Sequence, residues 1–507
     1  MEILKETVKI ERLIASMNEQ ALVEGEVEIP GSMQEIAGML LVQGRVYMGS
    51  VEVLDGRMMM EGTVIFNAIY SAVDEKICSY ESASSFKHVI DVSEGTVMSR
   101  GNVQASIQQI DYSVVDSHKL SVSAVINLSC SITNDETIGL VCGIDDEEVR
   151  IQTKRGMVYM PVQKRAMENI RVREDATLDT SCPGIDEIFG RSAYARVKSI
   201  RLDIDKVIVE GEAYVNIAYG SQGEYMLQNA IIKVPFGNII AFDGVDESMD
   251  AYVSAQVNEI YVSPIGENAH IVNTEMSISL EVTAVRKEAY SIIRDSYSLS
   301  GEIEMQRGAI DNRELAVRGS GKCLITDSLN LSTGLPPIQR VLSVFANPII
   351  TSKRASHNRA EIDGVMFLNI TYVTQDGLLR AIDTQTVFSG EIDIIGIEEG
   401  MDLDVCVDVE NAAGAGNGNT VETRITLDTI VFGYRTSQLE FVSDIEWMPP
   451  QKTSDGGITI YFAGEGESLW NVAKRYRTTM EIVKKYNPWV NDEMELAEGQ
   501  KLLLYRP

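Results

Sequence analysis

Three segments of the chain repeat one short pattern, and its internal period is that of a β-strand. They are Glu61–Tyr70 (EGTVIFNAIY), Glu210–Tyr219 (EGEAYVNIAY) and Asp363–Tyr372 (DGVMFLNITY), an [E/D]-G-x4-N-x2-Y motif. Gly62 and Gly211 lie 149 residues apart, Gly211 and Gly364 153. Steps of two from each glycine give Val64, Phe66, Ala68, Tyr70; Ala213, Val215, Ile217, Tyr219; and Met366, Leu368, Ile370, Tyr372. All are apolar or aromatic. Successive side chains of a strand point to opposite faces, so each set predicts one buried face. The other face is mixed and carries Asn67, Asn216 and Asn369. A repeated strand asparagine is expected to bond a neighbouring backbone or turn. The tyrosines are expected in the core with a hydrogen-bonded hydroxyl. The glycine after an acidic residue suits a turn feeding the strand.

A phenylalanine follows each glycine at nearly constant distance: Phe86, Phe236 and Phe388, at offsets of 24, 25 and 24. A proline-led segment precedes each motif, from Ile29, Cys182 and Leu335, and reads as a single helical turn entering the unit. Further runs, from Lys119, Met276 and Val421, alternate as strands between turn-forming residues. Long helical periodicity is scarce before residue 458. The fold class expected is therefore mainly β: three β-sandwich-like domains, 1–147, 148–295 and 296–447, then a linker at 448–457 and a small α+β module at 458–507.

Composition bounds the function. Of 507 residues, 44 are Lys or Arg and 75 Asp or Glu, a net charge of −31. From Ile458 onward seven basic residues match seven acidic ones, so the whole excess lies in residues 1–457. A polyanionic surface repels phosphate backbones and argues against a nucleic-acid partner. The six cysteines (78, 130, 142, 182, 323, 406) are scattered without C-x-x-C, which fits a reducing compartment and buried free thiols. The four histidines do not cluster, and no metal, cofactor or catalytic constellation is expected. Gly319-Ser320-Gly321-Lys322-Cys323 has the end of a P-loop without its first glycine or its Ser/Thr. Gly414, Gly416 and Gly418 precede a strand pattern and read as a mobile hairpin loop. The first residues, MEILKETVKIERLIASM, lack the apolar stretch of a signal peptide, and no run of 18 apolar residues occurs, so a cytosolic protein without a membrane span is expected.

The strand motif, the preceding Pro-Gly segment and the unit length together resemble the SPOCS domain, which recurs in clostridial spore coat proteins. The resemblance covers most of residues 1–447. The third copy departs from it, with Pro336-Pro337 in place of Pro-Gly.

After Met448-Pro449-Pro450 and a polar, glycine-ended stretch, the chain reads strand–helix–helix–strand. Ile458–Ala463 alternates as a strand. Ser468 can cap a helix with Leu469, Val472, Ala473 and Tyr476 on one side. Thr478 with Glu481 makes a capping-box pattern for a second helix, ended by Asn487-Pro488. Lys501–Tyr505 closes as a strand. The order, with Gly466-Glu467-Ser468-Leu469-Trp470, Asn487-Pro488 and Gly499-Gln500-Lys501-Leu502, is similar to the LysM family. That resemblance implies a shallow groove for N-acetylglucosamine polymers, chitin-like or peptidoglycan. Here it would be formed by Gly466, Glu467, Ser468 and Leu469 with Asn487, Pro488, Trp489 and Val490. Trp489 suits sugar stacking and a protein hot spot equally; Trp470, beside Leu469, is expected in the core. Three SPOCS-like units ahead of one LysM module resemble clostridial coat morphogenesis proteins. That implies a non-enzymatic adaptor in the mother-cell cytosol, at the forespore surface. Its module would engage the basal coat ATPase, stage IV sporulation protein A, with glycan as the alternative ligand.

Overall fold

The computed structural model describes residues 2–180, 182–221, 227–331, 335–449, 457–491 and 495–506, with backbone alone at 159–166, 312, 417 and 506. Residues 450–456 of the expected linker lie outside it. Up to Met448 the described residues are strands and turns. The first repeat runs β1 (Glu2–Glu28), β2 (Ile36–Leu54), β3 (Arg57–Ala72), β4 (Ile77–Asp91), β5 (Arg100–Asp116) and β6 (Lys119–Asp145). The second runs β7 (Val149–Thr177), β8 (Glu187–Asp203), β9 (Lys206–Gly220), β10 (Gln228–Ala241), β11 (Asp250–Pro264) and β12 (Ile271–Ser298). The third runs β13 (Glu302–Asn330), β14 (Ile338–Ser356), β15 (Arg359–Thr374), β16 (Leu379–Asp393), β17 (Asp402–Asn417) and β18 (Thr420–Met448). Each repeat makes two antiparallel three-stranded sheets. One is a meander, β2-β3-β4 in the first copy; the other has order β1-β6-β5. The inner faces of the two sheets enclose a core of Val64, Phe66, Ala68 and Tyr70 with Leu120, Ile126 and Leu128 in the first repeat, and equivalent cores in the others.

The repeated glycine and phenylalanine explain each other. Gly62, Gly211 and Gly364 sit within β3, β9 and β15, not at a turn as their sequence context suggested. Each is the direct cross-strand partner of the repeated aromatic: Gly62 of Phe86, Gly211 of Phe236, Gly364 of Phe388. A Cβ on Gly62 would stand 2.7 Å from the Phe86 ring and 2.7 Å from the Tyr47 carbonyl oxygen. The ring lies over the bare backbone, an aromatic cover for a mid-strand glycine. The proline-led segments also differ from the expected helical turn. Met33 N donates to Pro30 O at 2.8 Å, a single β-turn that runs into β2, and β8 and β14 start likewise without a helix.

Each long strand outruns its third partner. β5 pairs with β6 only from Asp116 opposite Lys119 to Arg100 opposite Thr133, whereas β1 pairs with β6 as far as Glu2 opposite Asp145. Beyond that point each repeat extends a two-stranded ribbon, and the three ribbons pack together. Their shared core takes Val8, Leu140, Val158, Ile292, Ile310 and Phe441, then a second layer of Val141, Ile293, Val442 and Ile445. In every repeat two consecutive apolar residues (Leu140-Val141, Ile292-Ile293, Phe441-Val442) precede a register shift, the first buried in one layer and the second in the other.

The meanders close a second ring above the ribbons, and the motif asparagines bridge it. Asn67 Nδ2 donates to Phe189 O at 3.0 Å, from the first repeat to the second. Asn369 Nδ2 donates to Leu40 O at 2.9 Å, from the third back to the first. Between the second and third, Asn229 Nδ2 donates to Val344 O at 3.3 Å instead, and Asn216 Oδ1 is buried without a partner among the described residues. The expected backbone bond exists for Asn67 and Asn369, where it crosses to another repeat, and is not made by Asn216 among the described residues. Hence the mixed face of β3 is also buried, with Ile69 packed against Leu40, Phe189 and Phe345. The remaining seam contacts differ. At the second seam Arg196 pairs with Asp408, whose carboxyl burial pushes up against the pull of Arg196, and Arg318 donates to Val197 O at 2.9 Å. At the third, Tyr112 OH donates to Asp383 at 3.2 Å.

Other sequence expectations resolve individually. Tyr70 and Tyr219 donate to Gln34 O and Pro183 O at 3.1 and 3.0 Å. Tyr372 is equally buried, but its hydroxyl has no partner among the described residues, in the copy whose Pro-Gly became Pro-Pro. Gly319 and Gly321 lie in β13 against Ile394 and Ile392, and Gly414 and Gly416 lie in β17, leaving only Gly418 in the hairpin turn. Of the cysteines, all free, Cys130 and Cys323 are buried, whereas Cys406 is exposed, on the face of β17 opposite the core-packed Val405 and Val407.

Candidate functional site

The C-terminal module comprises β19 (Gly457–Phe462), β20 (Glu467–Ser468), α1 (Leu469–Arg475), α2 (Met480–Tyr486), β21 (Glu495–Leu496) and β22 (Lys501–Arg506). Ser468 caps α1, its hydroxyl accepting from Asn471 N at 3.2 Å. The cap of α2 is Thr479, one residue later than the Thr478–Glu481 pattern suggested, and accepts from Ile482 N at 3.2 Å. β19 and β22 pair antiparallel, and the helices cover one side of this ribbon over Leu502 and Leu504.

The predicted groove residues divide into scaffold and surface. Leu469 and Val490 are core. Asn487 is fully buried: its amide donates to Val483 O and Leu503 O at 2.7 and 2.8 Å and its oxygen accepts from Leu503 N at 2.8 Å, so it ties α2 to β22. Glu467 accepts from Tyr461 OH at 2.7 Å and Gly464 N at 3.1 Å and pairs with Arg475 at 3.0 Å. Burial works against ionisation of Glu467, but these donors outweigh it and hold its carboxyl below the usual range. Gly466 takes φ +69°, a left-handed turn open to glycine. Pro488 and Trp489 are exposed, Trp489 by 61%. The 464–467 loop lines a shallow hollow with Tyr461, Asn471, Arg475 and Glu498; residues 487–490 do not line it.

Three exposed residues were not singled out from sequence: Ile458, Ile460 and Phe462, on the face of β19 away from the helices, with Ile458 and Phe462 70% and 62% exposed. The signal was present. A ribbon with helices on one side only must leave alternate strand residues open, and here those residues are apolar. Trp470 is buried as expected, 9% exposed, but its indole NH donates at 2.8 Å to Asp295, outside the module.

A family model described as SipL, SPOCS domain matches the chain three times, at residues 32–115, 184–265 and 337–413. Over these three segments the chain is a SipL-like, SPOCS-domain protein. Each SPOCS match spans the meander and most or all of the first returning strand, and leaves the long ribbon strands outside it. The SPOCS family is one of sporulation-related coat proteins, structural and morphogenetic, and not a known enzyme class. No curated protein and no solved structure matches the chain. Among the described residues no helix is long and apolar enough to cross a membrane, and no group of three His, Cys, Asp or Glu could hold a metal ion.

Proposed function

We propose that this SPOCS protein is a non-enzymatic adaptor of endospore coat assembly, whose LysM-type module at 458–507 captures a protein partner at the forespore surface, in the mother-cell cytosol. The partner implied by the resemblance is the coat morphogenetic ATPase, stage IV sporulation protein A. In this reading residues 1–147, 148–295 and 296–447 are the three SPOCS units and 448–457 the linker. One observation carries the choice of a protein ligand: the module leaves Ile458, Phe462 and Trp489 largely exposed on an otherwise well-packed fold. Exposed apolar side chains mark interaction surfaces, and an exposed tryptophan is a side chain that protein hot spots favour. Pull-down from sporulating cells tests it. Full-length protein should capture the ATPase, and a chain ending at residue 457 should not; equal capture by both would end the proposal. Trp489→Ala should reduce capture without loss of folding.

Peptidoglycan is the second reading, favoured by the polar hollow at Tyr461, Glu467, Asn471 and Arg475. Titration with chitin oligomers or muropeptides should then give saturable shifts at Gly466–Leu469 and Asn487–Val490. Silence at millimolar ligand would remove it.

A further inference from the structure

Among the described residues, most of the module's contacts are to the end of the second repeat. The register shift between Ile293 and Asp295 turns the end of β12, so that Asp295 and Tyr297 face α1. Asp295 accepts from Trp470 Nε1 at 2.8 Å and from Lys474 Nζ at 2.6 Å. Tyr297 meets the Trp470 ring edge-on, centroids 4.9 Å apart, and its hydroxyl donates to Thr478 O at 2.8 Å. At the rim Arg477 donates to Glu302, the first residue of β13, at 2.9 Å. The other two ribbons lack this surface. The positions equivalent to Tyr297, two beyond the same register shift, are Asp145 and Glu446; those equivalent to Asp295 are Gly143 and Asp444. The difference falls in the repeat whose ribbon end carries most of these contacts, and it supplies an aromatic where the others carry charge.

We infer that the end of β12 is a docking site for the module of the same chain, a latch that closes the Trp470 face of α1 against outside ligands while leaving the Trp489 and Phe462 surfaces open. This deepens the adaptor reading and rests on it, since it takes the module as the ligand-binding part. The joint has the character of a releasable contact. Two ion pairs and two hydrogen bonds surround one buried ring, Tyr297, with Leu299 beside it, and among the described residues the buried hydroxyl of Thr478 has no partner. By contrast, shared apolar layers hold the ribbons. A ligand that needs the Trp470 face must displace Asp295 and Tyr297; one that takes the Trp489 surface meets a module already oriented.

The test uses the full chain without any partner, so failure of the latch and failure of the partner proposal are separate results. Hydrogen exchange of the Leu469–Arg475 amides and acrylamide quenching of Trp470, in a Trp447→Phe, Trp489→Phe background, report the seated state. Lys474→Glu places two carboxylates together and should raise both, exchange by about tenfold, as should high salt. Adding Asp295→Lys to Lys474→Glu should restore protection by charge swap, which an unfolded module could not show. Tyr297→Ala should open the joint while α2 amides stay protected. Unchanged exchange and quenching in Lys474→Glu and Tyr297→Ala, or no recovery in the charge-swapped pair, would overturn the latch.

Discussion

The three motif asparagines occupy equivalent strand positions, yet the structure assigns them unequal energies. Asn369→Ala removes the donor to Leu40 O and a second bond, to Asp383 at 2.8 Å, and leaves the buried Leu40 carbonyl without that side-chain donor. A buried acceptor stripped of its partner costs about 1–3 kcal/mol, and the truncation leaves a small void besides. A loss of about 2–3 kcal/mol is expected, with about 1–2 kcal/mol for Asn67→Ala, which breaks one such bond while removing an Oδ1 that, like that of Asn216, is buried without a partner among the described residues. Asn216→Ala removes an oxygen that is buried and unpartnered, so relief offsets truncation and the change should stay within about 0.5 kcal/mol. Urea titration of the full chain measures all three. For a cooperative unit of about 450 residues the unfolding entropy near Tm is about 0.9 kcal/mol/K, so the corresponding Tm losses are about 2–3, 1–2 and under 1 °C. Equal losses at the three positions would show that each asparagine acts inside its own repeat, and would refute the bridging role.

Further outcomes follow from other contacts. Gly211→Ala should destabilise by about 1–3 kcal/mol, because its Cβ would lie 2.4 Å from both Arg196 O and the Phe236 ring. Phe236→Leu should reduce that penalty by removing the ring, leaving the backbone clash; an unreduced penalty would assign the whole cost to the carbonyl. Cleavage at a protease site placed in the exposed Glu147-Glu148 turn should yield fragments that co-elute on size exclusion, since the ribbons share their core; separation under native conditions would contradict it. The depressed carboxyl of Glu467 stabilises the 464–467 loop above its unfolded range, near pH 4.3, and that contribution is lost as pH falls through the folded value. Glu467→Gln should therefore flatten the change in exchange at Gly464–Ser468 between pH 5 and pH 3.

The period-two motif sufficed to place β3, β9 and β15 and their inward faces, because alternation depends only on strand geometry and one buried side. The helices of the module were legible to within a residue, because caps are local. What stayed hidden was set by neighbours distant in sequence. Asn67 bonds a carbonyl 122 residues away, Asn369 one 329 residues away, and no pattern within a repeat encodes which chain segment lies opposite. The local context of Gly62 is that of a turn; only the cross-strand register brings Phe86 over it. The helical turns expected at the prolines failed because the strand that follows begins within a few residues. At the module, sequence placed Asn487 in the groove because of its loop, and burial makes it a strut.

The C-terminal module follows the third repeat in the chain but leans on the second. Tension on a module so seated does not load the polypeptide end to end. It enters β12 at its last turn and spreads along its ladder with β7, strands of 28 and 29 residues whose cross-strand bonds lie abreast and share a shearing load. A hairpin pulled open at its tip would instead surrender those bonds one at a time. A module seated this way passes force through the side of a ribbon for as long as the contact at the end of β12 holds.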